Sequence, residues 1–417
     1  MEKTVSFGPA GIDWQERINF ARMREERSAR VKSLMKKYNL PVLLLNSSEN
    51  KRYAVGKKSS VLPLNLDYVL FFAESDPIIY EHADIGIHLR KNSPWLNPDN
   101  IRSAYTWVGG IVGAKATRMS AEKWAKAIKE DLKQHGLGSE PLAIDVLDLV
   151  GREALQAAGV KTADAGALMA EARLTKTEDE INCLKIAAAI VDRAWWAIYE
   201  NLRPGIRECE LAAIAFKSLH EMNIEYARVW GASGARAWPN YRGSGSTDRI
   251  IQPGDLVFFD IYDVSYNGYK TCYYRTFCVG RRPNAKQKDW YKQCYDWIYE
   301  ALSEVKPGAT TADAAKRLPP ASTWGYPAEE WAVLSQWGHG IGLSLYEKPV
   351  ISRAYSFDDP MVFEKNMTFA IETQQGEEGV GGARLEEMVV VTDKGYEVIS
   401  RWPAEEITVA RHSLVEP

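Results

Sequence analysis

The sequence predicts an α+β protein of two domains, a smaller α/β domain over residues 1–174 and a larger domain over residues 175–417. Three observations predict this division. Short apolar runs alternate with helical stretches in the first half, which is typical of an α/β domain. A capping box at Thr177 and Glu180 then marks the start of a long helix. The strand-like segments that follow are arranged in a mostly antiparallel pattern, which is typical of an α+β domain.

The first domain begins with a charged helix over residues 14–38. Apolar runs bounded by polar residues then predict buried strands, and a loop is expected over residues 47–56. The three histidines of this domain show no metal-ligand spacing, so we expect no site among them. The predicted strands are 41–46, 67–73, 77–82 and 141–146, the predicted helices are 119–134 and 147–158, and the histidines are His82, His88 and His135.

The second domain opens with the long helix, which Pro204 and Gly205 end, and a second helix begins near Glu208. Strands are expected from about Tyr226 onwards. A helix is expected over residues 285–304, and a Gly/Pro-rich passage then leads to the motif GHGIGL at 338–343. Two further strands are expected over residues 367–373 and 383–392.

A hairpin over residues 254–280, GDLVFFDIYDVSYNGYKTCYYRTFCVG, is the centre of the second domain. Asn267 and Gly268 are flanked by aromatic and β-branched residues, and such a pair favours a tight turn because both turn residues need a positive φ. With a two-residue loop, Asp263 on the first strand faces Cys272 on the second, with Cβ atoms about 5 Å apart. These two side chains could then share one metal ion or one proton.

Composition excludes several classes of function. The 417 residues are 46% hydrophobic and 26% charged, with a net charge of −3, and no long basic run predicts a nucleic-acid partner. No stretch of about 18 apolar residues predicts a membrane span, and the N-terminus lacks the apolar core of a signal peptide. Five cysteines without CxxC spacing argue against a disulfide framework. We therefore expect a soluble, cytoplasmic protein.

Four segments of the second domain carry side chains that bind metals. Asp260, Asp263 and Cys272 lie in the hairpin, His339 lies in GHGIGL, and two glutamates lie on the last two strands. An unpaired buried carboxylate is costly, so these glutamates need a cation, a shared proton or a basic partner. Arg384 lies on the same strand face as the second glutamate and is the alternative partner. The two glutamates are Glu372 and Glu386.

The order of the motifs GDLVFFD, NGY with RTF, GHGIGL, ET and RLEE resembles that of the pita-bread family over residues 175–400. This family includes methionine aminopeptidases, prolidases, aminopeptidase P and creatinase. The segment NKRYAVG and the α/β first half resemble the creatinase and prolidase branch. The resemblance implies a homodimer and two metal ions held by two Asp, one His and two Glu, which activate a bridging water.

The resemblance assigns the family ligands residue by residue. His339, Glu372 and Glu386 match the His and the two Glu, and Asp260 matches the first Asp. Cys272 stands where the family has its second Asp. The spacing from Asp260 to Cys272 is one residue longer than usual, which predicts a β-bulge or a shifted register, and Asp263 could supply the missing carboxylate.

Two histidines that family peptidases use near the scissile bond are also replaced. Their positions match Asn240, within GARAWPNY, and Tyr346, within LYEKP. These replacements argue against peptide hydrolysis. Among non-peptidase members, RMREERSARV, RIIQPGD, the longer hairpin spacing and GYEVISRWP resemble the dimethylsulfoniopropionate lyases of this fold, although those lyases keep the second Asp.

The expected chemistry is that of a lyase acting on a small zwitterionic carboxylate. One thiolate, one imidazole and carboxylates suit zinc or iron(II), with manganese as a further possibility, and one or two ions are expected. An ion could bind and polarise a substrate carboxylate. Asp263 or Tyr346 could be the base that removes a C–H proton. The expected catalytic residues are therefore Asp263, Tyr346 and His339.

Several further side chains are expected to contact this substrate. Aromatic rings could hold a sulfonium or quaternary ammonium by cation–π contact, and the alternative is that they only pack the sheet edge. The expected substrate-binding residues are Trp230, Trp238, Asn240, Tyr241, Tyr266, Trp337 and Arg384.

Three other functions stay open. The chain could be a C–N hydrolase of the creatinase or ectoine-hydrolase kind, a residual Xaa-Pro peptidase, or a metal-free pseudoenzyme.

Overall fold

The computed structural model describes residues 17–58, 67–108, 111–239, 245–333 and 335–411. The chain forms two compact units: one is Phe20–Arg173, and the other is Leu174–Pro417 together with the segment that ends at Asn19. Helices in the described part of the chain are all too short or too polar to cross a membrane.

The first unit is a mixed six-stranded sheet with helices, as expected for an α/β domain. Its strand order is β4-β3-β2-β1-β5-β6, with parallel pairs at β1/β5, β5/β6 and β3/β4. The strands are β1 (Val42–Leu45), β2 (Tyr68–Phe72), β3 (Ile78–Glu81), β4 (Ile101–Ser103), β5 (Leu142–Ile144) and β6 (Thr162–Asp164). The helices are α1 (Phe20–Lys37), α2 (Ser48–Val55), α3 (Ala83–Asn92), α4 (Ala114–Gln134), α5 (Leu149–Ala157) and α6 (Gly166–Ala172).

The loop expected over residues 47–56 is wrong, because this segment forms helix α2. Ser47 caps the helix by accepting a hydrogen bond from the Asn50 backbone N–H. Gly56 ends it in the left-handed conformation with φ of 72°. Both cap residues can be identified in the sequence, but the segment between them is short and polar, so the sequence alone does not predict helix α2.

The second unit contains two sheets, with the strand orders β11-β10-β12-β13-β14 and β15-β9-β8-β7. Every strand pair is antiparallel except β15/β9. The strands are β7 (Tyr226–Ser233), β8 (Leu256–Ser265), β9 (Cys272–Cys278), β10 (Gln336–Gly340), β11 (Glu347–Ile351), β12 (Thr368–Glu377), β13 (Gly381–Val391), β14 (Tyr396–Val398) and β15 (Thr408–Val409). The helices are α7 (Glu178–Asn201), α8 (Glu208–His220), α9 (Ala285–Ser303) and α10 (Thr311–Ala315).

Alternation along β12 and β13 separates the core from the site. Ile371 and Leu385 are fully buried in the cluster that includes Ile298 and Leu302 of helix α9. Since successive side chains of a strand point to opposite faces, Glu372 lies on the other face of the sheet. That face lies against the four-stranded sheet, as the hydrogen bond from the Thr276 hydroxyl to the Arg384 carbonyl (2.8 Å) shows.

The hairpin of β8 and β9 contains the predicted bulge. Tyr262 pairs with Cys272, but nearer the turn Tyr266 pairs with Tyr269, so the first strand holds one extra residue. Asp263 is that residue: its φ is 55°, and its backbone N–H donates to the Thr271 carbonyl over 2.7 Å. The bulge turns Asp263 aside, and the expectation that Asp263 faces Cys272 is therefore wrong.

Candidate metal centre and its surroundings

The four-stranded sheet presents two rows of side chains on the face towards β13. Arg228, Tyr262 and Cys272 form one row across β7, β8 and β9. The neighbouring row is Trp230, Asp260 and Tyr274. Because residues in register share a face and their Cβ atoms lie about 5 Å apart, each row brings polar groups of three strands together.

The five-stranded sheet supplies two further rows. Trp337, Glu372 and Glu386 are in register across β10, β12 and β13. His339 belongs to the next row, where it pairs with Ala370. A side chain at Gly340 would place its Cβ 2.1 Å from the Lys348 carbonyl oxygen, so the residue after His339 must be glycine for the strands to approach this closely.

Three side chains from the two sheets converge. Ligand atoms of Cys272, His339 and Glu386 all lie within 4.8 Å of one another. The Cys272 thiol donates to Glu386 Oε2 over 3.5 Å, and His339 Nε2 lies 3.7 Å from Glu386 Oε1. All three residues are buried, at most 4% exposed.

The ring of His339 is oriented by its own strand. Nδ1 lies 3.3 Å from the Gly340 carbonyl oxygen, which accepts a hydrogen bond when Nδ1 carries the proton. In that tautomer the lone pair is on Nε2, the nitrogen that faces Glu386. A histidine whose second nitrogen bonds a backbone carbonyl is the usual form of a metal ligand.

The other two expected ligands, Asp260 and Glu372, accept hydrogen bonds from tryptophan side chains. Asp260 Oδ2 accepts a hydrogen bond from the Trp230 indole over 3.2 Å. Glu372 Oε1 accepts one from the Trp337 indole. Both carboxylates are buried, at 3% exposure, and neither belongs to the group of mutually close ligand atoms among the described residues. Indole is a donor only, so it suits an ionised carboxylate.

Asp263 lies near cations and not in this group. Lys270 Nζ is 3.1 Å from its Oδ1, and Arg228 Nε is 3.7 Å from its Oδ2. The bulge that turns the residue aside also explains why it does not supply the carboxylate that Cys272 replaces.

Aromatic rings surround one side of the converging group. The His339 ring lies 4.9 Å from Trp337 and 4.7 Å from Tyr346, and the last two rings are 5.5 Å apart. Tyr346 is 52% exposed, whereas His339 is buried. The ring of Tyr346 therefore lies between the buried ligands and solvent.

The remaining expected substrate contacts are placed differently. Tyr266 is buried at the hairpin turn, where it pairs with Tyr269. Trp238 packs on Gly376, where an added Cβ would lie 2.8 Å from the ring. Arg384 is 1% exposed, stacks over Phe258 and donates to the Gln374 side chain. Asn240 and Tyr241 lie outside the described residues.

Tyr262 and Arg228 lie at the site but were not predicted from the sequence. Burial raises the pKa of Tyr262, and the nearby Arg228 opposes that shift. Hydrogen bonds with the Tyr226 and Tyr262 hydroxyls raise the pKa of Arg228. The strand register of β7 against β8 is the signal that could have found both, because Arg228 stands two residues before Trp230 on the same face.

The three converging side chains could hold a metal ion. A thiolate, an imidazole nitrogen and a carboxylate oxygen within a few ångströms form a set that zinc or iron(II) accepts. The two-ion arrangement that the family resemblance implies has a carboxylate at the position of Cys272, where this chain has a thiol. Asp260 and Glu372 each accept an indole hydrogen bond on one carboxylate oxygen.

Buried carboxylates on two facing antiparallel sheets, with helices outside them, define an α+β metalloenzyme of the pita-bread class. The chain belongs to metallopeptidase family M24, whose model matches residues 182–393. This confirms the family resemblance and the fold drawn from the motifs. Members of this family are divalent-metal enzymes.

Individual relatives carry different activities. The chain is 32% identical to a probable dipeptidase PepE of Mycobacterium tuberculosis over 283 residues, 66% of this chain and 72% of that protein. It is 26% identical to the dimethylsulfoniopropionate lyase DddP of Roseovarius nubinhibens over 340 residues, 77% of this chain and 74% of that protein. The prolidase structure from Pyrococcus horikoshii matches with a TM-score of 0.73 and 24% identity, over 92% of this chain and 100% of that one, which supports the fold.

Proposed function

We propose that this protein is a metal-assisted lyase that cleaves a C–S bond, or a C–N bond, of a small zwitterionic carboxylate. The observation that carries the proposal is the thiol of Cys272 in the group with His339 and Glu386. Peptide hydrolysis in this family uses a water held between two ions, and a site with one thiolate, one imidazole and one nearby carboxylate suits a single ion. The alignment with the lyase relative, which covers 77% of this chain, supports the same conclusion.

The reaction is an elimination with balanced atoms. A base takes the proton from the carbon next to the carboxylate, and the C–H electron pair becomes the new C=C bond. The bond to the sulfonium breaks, and its electron pair leaves with the neutral sulfide. An ion held by Cys272, His339 and Glu386 would supply positive charge that stabilises the developing negative charge.

The side chains of the site have separate roles in this proposal. The faces of Trp337 and Tyr346 hold the sulfonium or ammonium by cation–π contact, on the order of 1–2 kcal/mol when water is excluded. Of the two expected bases, Tyr346 lies 4.7 Å from the His339 ring and reaches solvent, so its oxygen, in the deprotonated phenolate form, is the candidate to receive the proton. Asp263 is engaged by Lys270 and Arg228 and has a charge-positioning role.

The test is a product analysis with dimethylsulfoniopropionate and betaine-type acids in ¹⁸O-labelled water. A lyase releases dimethyl sulfide and an unsaturated acid that carries no solvent oxygen. Appearance of a hydroxy acid or another product containing ¹⁸O would contradict elimination.

A hydrolase is the second candidate, favoured by the 32% identity to the probable dipeptidase. It predicts cleavage of Xaa-Pro dipeptides, or of a C–N bond in a creatine-like substrate, with solvent oxygen in the product. A panel of Xaa-Pro dipeptides with added manganese or cobalt separates this candidate from the lyase.

A further inference from the structure

We propose that Arg228 binds the substrate carboxylate and thereby selects short molecules with an acid group at one end. The inference rests on the proposed function, because it places the two charged ends of a zwitterion. It assigns the binding of the acid end to an arginine that no motif of the sequence singles out.

The position of Arg228 is fixed by the row that it shares with Tyr262 and Cys272. Adjacent strands are about 4.8 Å apart, so the backbones of Arg228 and Cys272 are separated by about 10 Å. A long arginine side chain lying along Tyr262 shortens that gap. The charged ends of a three-carbon zwitterion are about 5 Å apart, so such a molecule can lie over Tyr262 between the two groups.

The guanidinium of Arg228 is held in place yet open to solvent. Its Nε donates to the Tyr226 hydroxyl over 3.1 Å, and its carbon lies 5.8 Å from the centre of the Tyr262 ring. The side chain is still 55% exposed. A guanidinium stays charged at all ordinary pH values and offers paired N–H groups that match a carboxylate.

Asp263 alone does not neutralise the two cations that contact it. Arg228 and Lys270 both contact this one carboxylate, at 3.7 Å and 3.1 Å, so the three groups carry a net charge of +1. Arg228 lies in the row of Tyr262 and Cys272, whereas Lys270 lies outside strand β9. The arginine is therefore the cation that faces a molecule bound above Tyr262.

The opposite end of the substrate is assigned by the aromatic rings. Trp337 and Tyr346 adjoin His339, which belongs to the five-stranded sheet, whereas Arg228 belongs to strand β7 of the four-stranded sheet. A sulfonium or ammonium is attracted by these ring faces and repelled by the guanidinium. The two sheets thus give the substrate one orientation, with its acid end at Arg228.

The experiment measures binding by isothermal titration calorimetry with the protein as purified. The probes are 3-(trimethylammonio)propionate, whose trimethylammonium leaves poorly, and its methyl ester, which has the same shape at the cationic end but no carboxylate. We expect Arg228→Gln to weaken binding of the acid by about tenfold or more and to leave binding of the ester within about twofold. Arg228→Lys should restore part of the affinity for the acid.

Arg317→Gln is the matched control. Its side chain is 54% exposed and pairs with Glu304 at 2.6 Å, so it resembles Arg228 in exposure and in having an acidic partner. This variant should bind both probes like the wild type. Metal content and melting temperature of each variant check that the site and the fold are intact.

Three results overturn the inference. Equal binding of the acid by the wild type and Arg228→Gln removes Arg228 as the anchor and leaves the proposed function standing. Parallel weakening of acid and ester reduces Arg228 to a structural role. A wild type that binds neither probe but cleaves Xaa-Pro dipeptides overturns the proposed function and the anchor together.

Discussion

Glu386 and Glu387 are neighbours on strand β13, and both are at most 1% exposed, yet their surroundings differ completely. Glu387 receives hydrogen bonds from Arg275 (2.9 Å), the Tyr299 hydroxyl (3.2 Å) and the Ser400 hydroxyl. Glu386 faces the Cys272 thiol and the His339 ring. One carboxylate is neutralised by a cation of the protein, and the other lies between two groups that bind metals.

The difference shows how one strand can carry, side by side, a carboxylate that stabilises the fold (Glu387) and a carboxylate placed to bind a metal ion (Glu386). Burial raises the pKa of Glu387, and Arg275 opposes that shift. The Glu387 carboxylate is paired with Arg275 inside the fold, so this buried ion pair needs no ligand. The neighbours of Glu386 in the converging group are a thiol and an imidazole, which are donors that zinc and iron(II) accept.

The largest effect is expected from breaking the ion pair between Arg275 and Glu387. Arg275→Met leaves Glu387 buried without its cation and removes hydrogen bonds to the Trp402 and Glu386 carbonyls. We expect the free energy of unfolding to fall by about 3–5 kcal/mol, as for other buried pairs that lose one partner. Urea unfolding measures this change.

Arg317→Gln is the control for that measurement, since its half-exposed pair should contribute at most about 1 kcal/mol. A value for Arg275→Met as small as that of the control would mean that Glu387 needs no cation.

The second effect concerns Glu386 and its neighbour His339. His339→Ala and Glu386→Gln should each weaken metal binding by more than about 100-fold, because loss of a ligand exceeds the 10–100-fold effect of an outer hydrogen-bond partner. Their unfolding free energies in chelator should change much less than that of Arg275→Met. Elemental analysis after dialysis measures the metal, and full retention of the ion by either variant would remove that residue from the ligand set.

The third effect tests the exchange of a carboxylate for a thiol. Cys272→Asp should shift the preference of the site from zinc towards manganese by about tenfold or more, equivalent to about 1.4 kcal/mol, because thiolates favour softer ions. Competition between the two metals measures the ratio. Cys272→Ser keeps the size of the side chain, and unchanged metal content and turnover in that variant would make Cys272 a packing residue only.

The smallest effect is expected at the bulge. Asp263→Asn removes the charge that contacts Lys270 and Arg228, but asparagine tolerates the positive φ of this position. Stability should change by less than about 1 kcal/mol, and turnover should persist. Turnover that disappears while binding of 3-(trimethylammonio)propionate is kept would instead make Asp263 the base.

The sequence predicts the fold and the ligand set more fully than the surroundings of the site. The apolar segments around Glu372 and Glu386 were enough to place both carboxylates on the last two strands, and the structure adds that they pair directly in the register of β12 and β13. The extra residue between Asp260 and Cys272 predicted the bulge. It did not predict where Asp263 would turn, because that depends on its backbone conformation and on cations from other segments.

Contacts between neighbouring strands cannot be predicted from one segment alone. The indole hydrogen bonds from Trp230 to Asp260 and from Trp337 to Glu372 depend on strand pairings that the sequence does not reveal. Arg228 was missed for the same reason. Helix α2 was missed because its capping residues, Ser47 and Gly56, also occur in loops.

X-ray absorption at the metal edge of the purified protein tests the central claim most directly, namely that Cys272, His339 and Glu386 hold one ion. We expect about one zinc or iron per chain, with a single sulfur scatterer at about 2.3 Å beside nitrogen and oxygen ligands. A spectrum that needs only nitrogen and oxygen, with a second metal about 3.5–4 Å away, would contradict the account and restore the two-ion site of the family's peptidases.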